Sequence, residues 1–254
     1  MIKKHLGTFA VILVFAIVIG VCAFSVISTS LSESNADNDF SKLSRKVTVT
    51  ESTTEKENPN STTFATESSQ QPTHSVEELL SINSECYAWL SIKDTRISYP
   101  VMHTPNDPEK YLNRNFYGQT SSSGVPFMDA RCTHESVNKI VYGHHMNFGS
   151  MFSDLCNYTS RMYRDSHQNV LLETHNGRAT YKVFAVLKVK ADDYWYNFIT
   201  AETEKKYDKK ISYATKHSLY NTRIVPKYGQ QLLTLSTCYG SNNDDRLIII
   251  AVKT

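Results

Sequence analysis

The globular part of the chain reads as a β-barrel with helical additions, and three observations carry that reading. From Tyr87 onward, short runs rich in β-branched and aromatic residues alternate with turn-rich segments. Asn176-Gly177 stands between two alternating runs, a strong short-range hairpin signal. The chain then closes on two more strand-like runs, LLTLSTC and RLIIIAVK. Many short strands accompanied by two or three helices suggest a barrel.

The N-terminal quarter is different in kind. Residues 6–27, LGTFAVILVFAIVIGVCAFSVI, hold no charged residue, and a helix of that length crosses a bilayer core of about 30 Å. Lys3, Lys4 and His5 precede it, which places residues 1–5 in the cytoplasm by the positive-inside tendency. A cleaved signal peptide is the rival reading, but the run is long for one and no small-x-small site follows closely. Cys22 follows Val21 rather than a small residue, so it reads as an apolar membrane residue and not as a lipoprotein cysteine. Residues 28–74 are rich in Ser, Thr, Asn and Glu and have few large apolar side chains, the composition of a flexible stalk. Residues 75–254 are enough for one globular domain. The formal net charge of +2 gives no reason to expect a nucleic-acid partner.

Within the globular part, HSVEELLSINSECYAWL begins as an amphipathic helix. Val76, Leu79 and Leu80 fall at helical spacing, and Glu77 and Glu78 stand in the first turn. YAWLSI, RISYPV and GVPFMD read as strands, separated by turn-rich stretches such as HTPNDPEK and GQTSSSG. KIVYGHHM is another strand and ends in a Gly-His-His loop; MFSDLCNY reads as a short helix. VLLETHNGRATYKVFAVLKV carries the hairpin, and residues 201–217 are charged and helix-prone.

The five cysteines are Cys22, Cys86, Cys132, Cys156 and Cys238, with no C-x-x-C pair to suggest a zinc or dithiol site. In QLLTLSTC, alternation puts Leu233 and Leu235 on one face and Thr234, Ser236 and Cys238 on the other. Cys238 thus stands on the more polar side at a strand end, where a reactive thiol needs to be. Arg246 opens the next strand; if the two strands are neighbours, it approaches Cys238, where it favours a thiolate and can hold an oxyanion. A cysteine nucleophile also needs an acid/base partner. Of the nine histidines, His5 precedes the apolar run and His74 lies in the stalk. His103, His134, His167, His175 and His217 read as solvated. His144 and His145 differ because they follow a strand at a turn glycine. Residue types and spacing lead to a cysteine nucleophile with a possible histidine and a possible arginine, and stop there.

The same residues resemble a known family. TLSTC at 234–238 with Arg246 downstream and VYGHH at 141–145 upstream resembles the sortases, and LLSINSECYAWLSI, ISYPV and YLNRNFYGQTSSSGVPFMD are most similar to class B sortases. Sortases are membrane-anchored cysteine transpeptidases of Gram-positive bacteria. The resemblance implies a closed eight-stranded barrel with N-terminal helices and a helix inserted before the last two strands. It also implies roles: Cys238 as nucleophile, His144 as general acid/base, and Arg246 for orientation and the oxyanion. Ser236 is a weaker candidate for a hydrogen bond to substrate. The implied partners are secreted proteins with a C-terminal sorting motif cleaved at a Thr carbonyl, a peptidoglycan amine as acceptor, and the membrane through the N-terminal helix. The catalytic domain would then be extracellular, on a single-pass anchor. No cofactor or metal is implied. Tyr239 departs from the pattern, since many class B members carry an acidic residue there. Three alternatives share some of these features: a thiol hydrolase of the same fold, a pilin-polymerising sortase, and a non-enzymatic surface-binding protein.

Overall fold

The computed structural model describes residues 26–27, 38–49, 73–242 and 244–254. The apolar run expected to cross a membrane lies outside these residues apart from Val26 and Ile27. Among the described residues no helix is long and apolar enough to span a bilayer.

Residues 38–47 form helix α1, and β1 (Thr48–Val49) follows and pairs antiparallel with β2 (Thr73–His74). This corrects the expectation of a flexible stalk over the whole of 28–74. Phe40, Leu43 and Val47 recur at helical spacing, share one face of α1 and are buried in the main core. Averaged composition hid three well-placed apolar residues. His74, which that reading put in the stalk, is buried in the domain. Its Nδ1 donates to Glu173 Oε2 at 2.8 Å, and the two side chains are only 2% and 3% exposed. Its Nε2 meets Ser44 Oγ of α1 at 2.9 Å, and its ring stacks on Trp89 with centroids 4.3 Å apart. Helix α2 (Val76–Ile82) starts where read; Ser75 caps it by accepting from the backbone N–H of Glu78.

Eight strands close the barrel: β3 (Cys86–Ile92), β4 (Ser98–Met102), β5 (Phe127–Met128), β6 (Asn138–Tyr142), β7 (Asn169–Thr174), β8 (Gly177–Lys190), β9 (Leu232–Cys238) and β10 (Asp245–Lys253). Their order around the barrel is β10-β8-β7-β3-β4-β5-β6-β9. The β4–β5 and β6–β9 pairs are parallel and the rest antiparallel. The hairpin signal lands one residue late, since Thr174 already pairs with Gly177 and the two-residue loop is His175-Asn176.

Alternation along β10 builds two layers. Leu247, Ile249 and Ala251 join the main core, whereas Ile248, Ile250 and Val252 join a second one. Helix α4 (Glu204–His217) supplies Tyr207, Ile211 and Ala214 to that second core, and the 3-10 turn Tyr194–Asn197 supplies Trp195. MFSDLCNY becomes a 3-10 helix at Ser153–Thr159, followed by the short helix α3 (Arg161–Ser166). The strand read in GVPFMD shrinks to β5, its two-residue core.

Candidate active site

Antiparallel β9 and β10 place Cys238 directly opposite Arg246. Residues so paired project side chains to the same face with Cβ atoms about 4.5–5.5 Å apart. Arg246 Nη1 donates to the Asp245 carbonyl at 3.0 Å, which fixes one corner of the guanidinium. Parallel pairing of β6 with β9 brings in the histidine. Tyr142 pairs with Ser236, Gly143 N–H donates to the Ser236 carbonyl at 3.1 Å, and Thr237 Oγ1 donates to the Gly143 carbonyl at 2.8 Å. His144 is the next residue along and stands beside the end of β9. Gly143 is required by packing, since a Cβ there would lie 2.6 Å from the Phe152 ring.

His144 is half-buried, and its Nε2 lies 2.8 Å from the Leu112 carbonyl. A carbonyl only accepts, so Nε2 carries a hydrogen and Nδ1 is the nitrogen left to exchange a proton. His145 is exposed and is not among the residues lining the cleft; its Nδ1 is 3.9 Å from Cys156 Sγ. Cys238, His144, Arg246 and Ser236 all line one cleft of about 610 Å³.

The four described cysteines are free, and their surroundings separate them. Burial pushes the Cys86 thiol up to about 12. It also raises Cys132, and it raises Cys156 together with the nearby charge of Cys238. Cys238 is exposed. Among the described residues no three His, Cys, Asp or Glu side chains converge as a metal site.

The polar face of β9 is covered rather than open. Thr234 Oγ1 accepts from the Trp195 indole at 3.0 Å and donates to Asn138 Oδ1 at 2.8 Å. The Ser236 hydroxyl lies 2.8 Å from Tyr196 Oη, so the weaker substrate-binding candidate is already engaged within the protein. Burial pushes the Tyr196 hydroxyl up to about 12 and keeps it neutral.

Sequence reading passed over the wall that carries Tyr196. Asp129 accepts bidentately from Arg131, at 2.9 Å and 2.7 Å, and also from Tyr142 Oη at 2.8 Å. Arg131 Nη2 in turn donates to the Tyr196 carbonyl at 2.9 Å. Burial opposes the Asp129 charge, but the hydrogen bonds from Arg131 outweigh it and hold the carboxyl below its usual range. The available signal was the Asp-x-Arg spacing in FMDAR, two opposite charges two residues apart just after a strand-like run. Of the histidines read as solvated, His134, His175 and His217 are exposed. His103 is half-buried with an unpartnered Nε2, and His167 stacks on Tyr163 at 4.0 Å.

A closed eight-stranded barrel whose cleft gathers a cysteine, a histidine and an arginine has the architecture of a thiol transpeptidase. Residues 90–254 match the sortase domain, and the chain belongs to the sortase family, a family of cysteine transpeptidases. It is similar to sortase B of Listeria monocytogenes, 30% identical over 165 residues that span 64% of this chain and 66% of that protein. It is 23% identical to sortase B of Staphylococcus aureus over 98% of this chain and 96% of that one. Among solved structures, a Staphylococcus aureus sortase B–substrate complex superposes with a TM-score of 0.66 at 25% identity, covering 70% of this chain and 84% of the other.

Proposed function

We propose that the protein is a membrane-anchored class B-type sortase that cleaves a C-terminal sorting motif at a Thr carbonyl and transfers the acyl group to a peptidoglycan amine. The observation that carries this reading is the pairing of an exposed thiol, Cys238, with Arg246 across one β ladder, on a cleft that His144 also lines. The Cys238 thiolate adds to the carbonyl carbon, and Arg246 donates to the oxygen as it gains charge. The C–N bond then breaks, and the departing amine takes a proton from His144 Nδ1, leaving a thioester on Cys238. An acceptor amine attacks that thioester, neutral His144 receives its proton, and the new amide forms as the thiolate leaves. The cycle returns the enzyme to its starting state without an external reductant or oxidant.

The apolar run at 6–27 serves location in this reading. It holds the catalytic domain at the outer membrane face, where secreted proteins and wall precursors meet, and so raises their effective concentration. The test is mass spectrometry of the protein with a panel of sorting-motif peptides. A thioacyl adduct on Cys238 is expected, and it should resolve to an amide when an amine is supplied. Release of free acid alone, at every amine concentration, would identify a hydrolase instead. Full activity in Cys238→Ala would remove the mechanism altogether.

A further inference from the structure

A second hollow, of about 480 Å³, opens between α1 and the start of β4. Two arginines and three serines line it, Arg45 and Arg96 with Ser41, Ser44 and Ser98; the rings of Phe40 and Tyr99, packed edge to face at 5.2 Å, complete the lining. Among the described residues no carboxylate lines it. The acid closest by contact is Asp154, which accepts from the backbone N–H of Arg96 at 2.8 Å.

The donors of this hollow are largely uncommitted. Arg45 makes no hydrogen bond or ion pair with any described residue, and neither does the Ser41 hydroxyl. Arg96 uses one guanidinium nitrogen, Nη1, on the Phe148 carbonyl at 3.0 Å. It lies against Gly149, where a Cβ would come 2.5 Å from Nη1. Ser98 Oγ accepts from the Trp89 indole at 3.1 Å, so its own O–H remains to donate. The Ser44 hydroxyl is engaged with His74 Nε2, but two guanidinium forks and the hydroxyls of Ser41 and Ser98, in a concave site with no carboxylate among its described residues, match the acceptor-only chemistry of a tetrahedral oxyanion.

The surroundings share that sign. Lys46 is exposed on α1, and Lys93 is exposed on the β3–β4 turn beside Asp94. Lys42 lies 3.9 Å from Asp39, so the charges of that pair offset each other. Helix α1 also begins only eleven residues after the apolar run, at 38 against 27. Fully extended, the ten residues between them span at most about 36 Å, which bounds the distance of α1 from whatever surface the run enters.

We propose that this hollow is a binding site for a phosphate-type oxyanion, carried either by an anionic phospholipid headgroup or by free phosphate. The site stands apart from the cleft and does not depend on the transpeptidase reading. Arg96 nevertheless joins it to the loop that follows His144 and His145.

The first arm of the test titrates inorganic phosphate into the full chain in a neutral detergent, followed by calorimetry. Saturable one-to-one binding is expected, weakened about tenfold or more by Arg45→Ala and by Arg96→Ala. Arg45→Ala breaks no hydrogen bond or ion pair with a described residue, and circular dichroism of the variant separates a loss of binding from misfolding. Lys46→Ala, outside the hollow, should bind as the parent does. The second arm places the full chain in vesicles of phosphatidylcholine, with and without phosphatidylglycerol, and reads amide exchange over 38–49. Slower exchange on the anionic vesicles, abolished by Arg45→Ala, identifies the headgroup as the source. Phosphate binding without any lipid-dependent change identifies free phosphate. No saturable binding below about 10 mM together with no lipid response overturns the site. So does an equal loss in Lys46→Ala, which would mean diffuse charge rather than a built pocket.

Discussion

Arg246 and Cys238 face each other across a ladder, so their side chains share one face by register. What Arg246 contributes can be separated by substitution. A lysine keeps the charge but lacks the planar fork that reaches the Asp245 carbonyl and a substrate oxygen together. Arg246→Lys and Arg246→Ala are both expected to lose about 10²–10³ in kcat/KM on a sorting-motif peptide, the usual loss for one oxyanion donor. Near-parental turnover in the lysine variant would reduce the role to simple charge. The adjacent histidines give a second contrast. His144 lines the cleft and is oriented by the Leu112 carbonyl, whereas His145 is exposed and contacts Cys156. His144→Ala should lose about 10²–10⁴ in rate and His145→Ala little. Peptide-cleavage assays on both, with circular dichroism to confirm folding, check the assignment, which must be exchanged if only the His145 variant is dead. Sequence could say that one of the two faces inward, because alternation sends neighbours to opposite sides. Alternation could not say which, and the choice of His144 came from the family resemblance; the physical ground lies in the pairing of β6 with β9, a contact between segments about a hundred residues apart.

At the scale of elements, α1 and β2 form a seam on the barrel that the polar composition of 28–74 concealed. The buried His74–Glu173 pair fastens the seam from the strand side, and Phe40, Leu43 and Val47 from the helix side. Removing one partner of a buried pair leaves the other without compensation, at a cost of about 3–5 kcal/mol. Glu173→Ala should therefore lower unfolding stability by about that much in urea titrations, with fast amide exchange appearing first over 38–49. The three apolar side chains contribute about 1.5–3 kcal/mol each by burial. A chain starting at residue 75 should consequently be markedly less stable than one starting at residue 28. Equal midpoints for the two would mean that α1 is not part of the cooperative unit. The elements that did read clearly, α2, the β7–β8 hairpin, β9 and β10, announce themselves through local signals: a cap, a turn, an alternating run. Helix α1 spreads its signal over three residues in a polar stretch, and the Asp129–Arg131 wall depends on contacts between distant segments.

For the molecule as a whole, the closed eight-stranded barrel followed from family resemblance, and the layer outside it follows from the alternation of β10. One buried cation in that outer layer makes stability depend on alkaline pH in a way that can be calculated in sign. Lys210 of α4 is 8% exposed; its ammonium lies 3.2 Å from the Tyr194 ring centroid and donates to the Tyr194 carbonyl. Burial pushes its pKa down to about 8, from 10.5 for the unperturbed group. Between those two values the unfolded chain binds more protons than the folded one, so the contribution of Lys210 to stability rises with pH across that window and is flat outside it. Lys210→Met has no such proton to release. Subtracting its unfolding free energy from that of the parent, pH by pH, removes what the tyrosines and other groups contribute to both proteins. The difference should climb in favour of the parent from about pH 8 to 10.5. A level difference through that window would show that the hydrogen bond to Tyr194 fully offsets the burial of the ammonium, and a falling one that it more than offsets it; either result removes the expected shift. The sign matters for the cleft as well, because the turn that Lys210 holds is the one that carries Tyr196 to Ser236. Once the base-catalysed rise of intrinsic exchange with pH is divided out, amide protection over 194–198 should therefore increase in the parent relative to Lys210→Met between about pH 8 and 10.5.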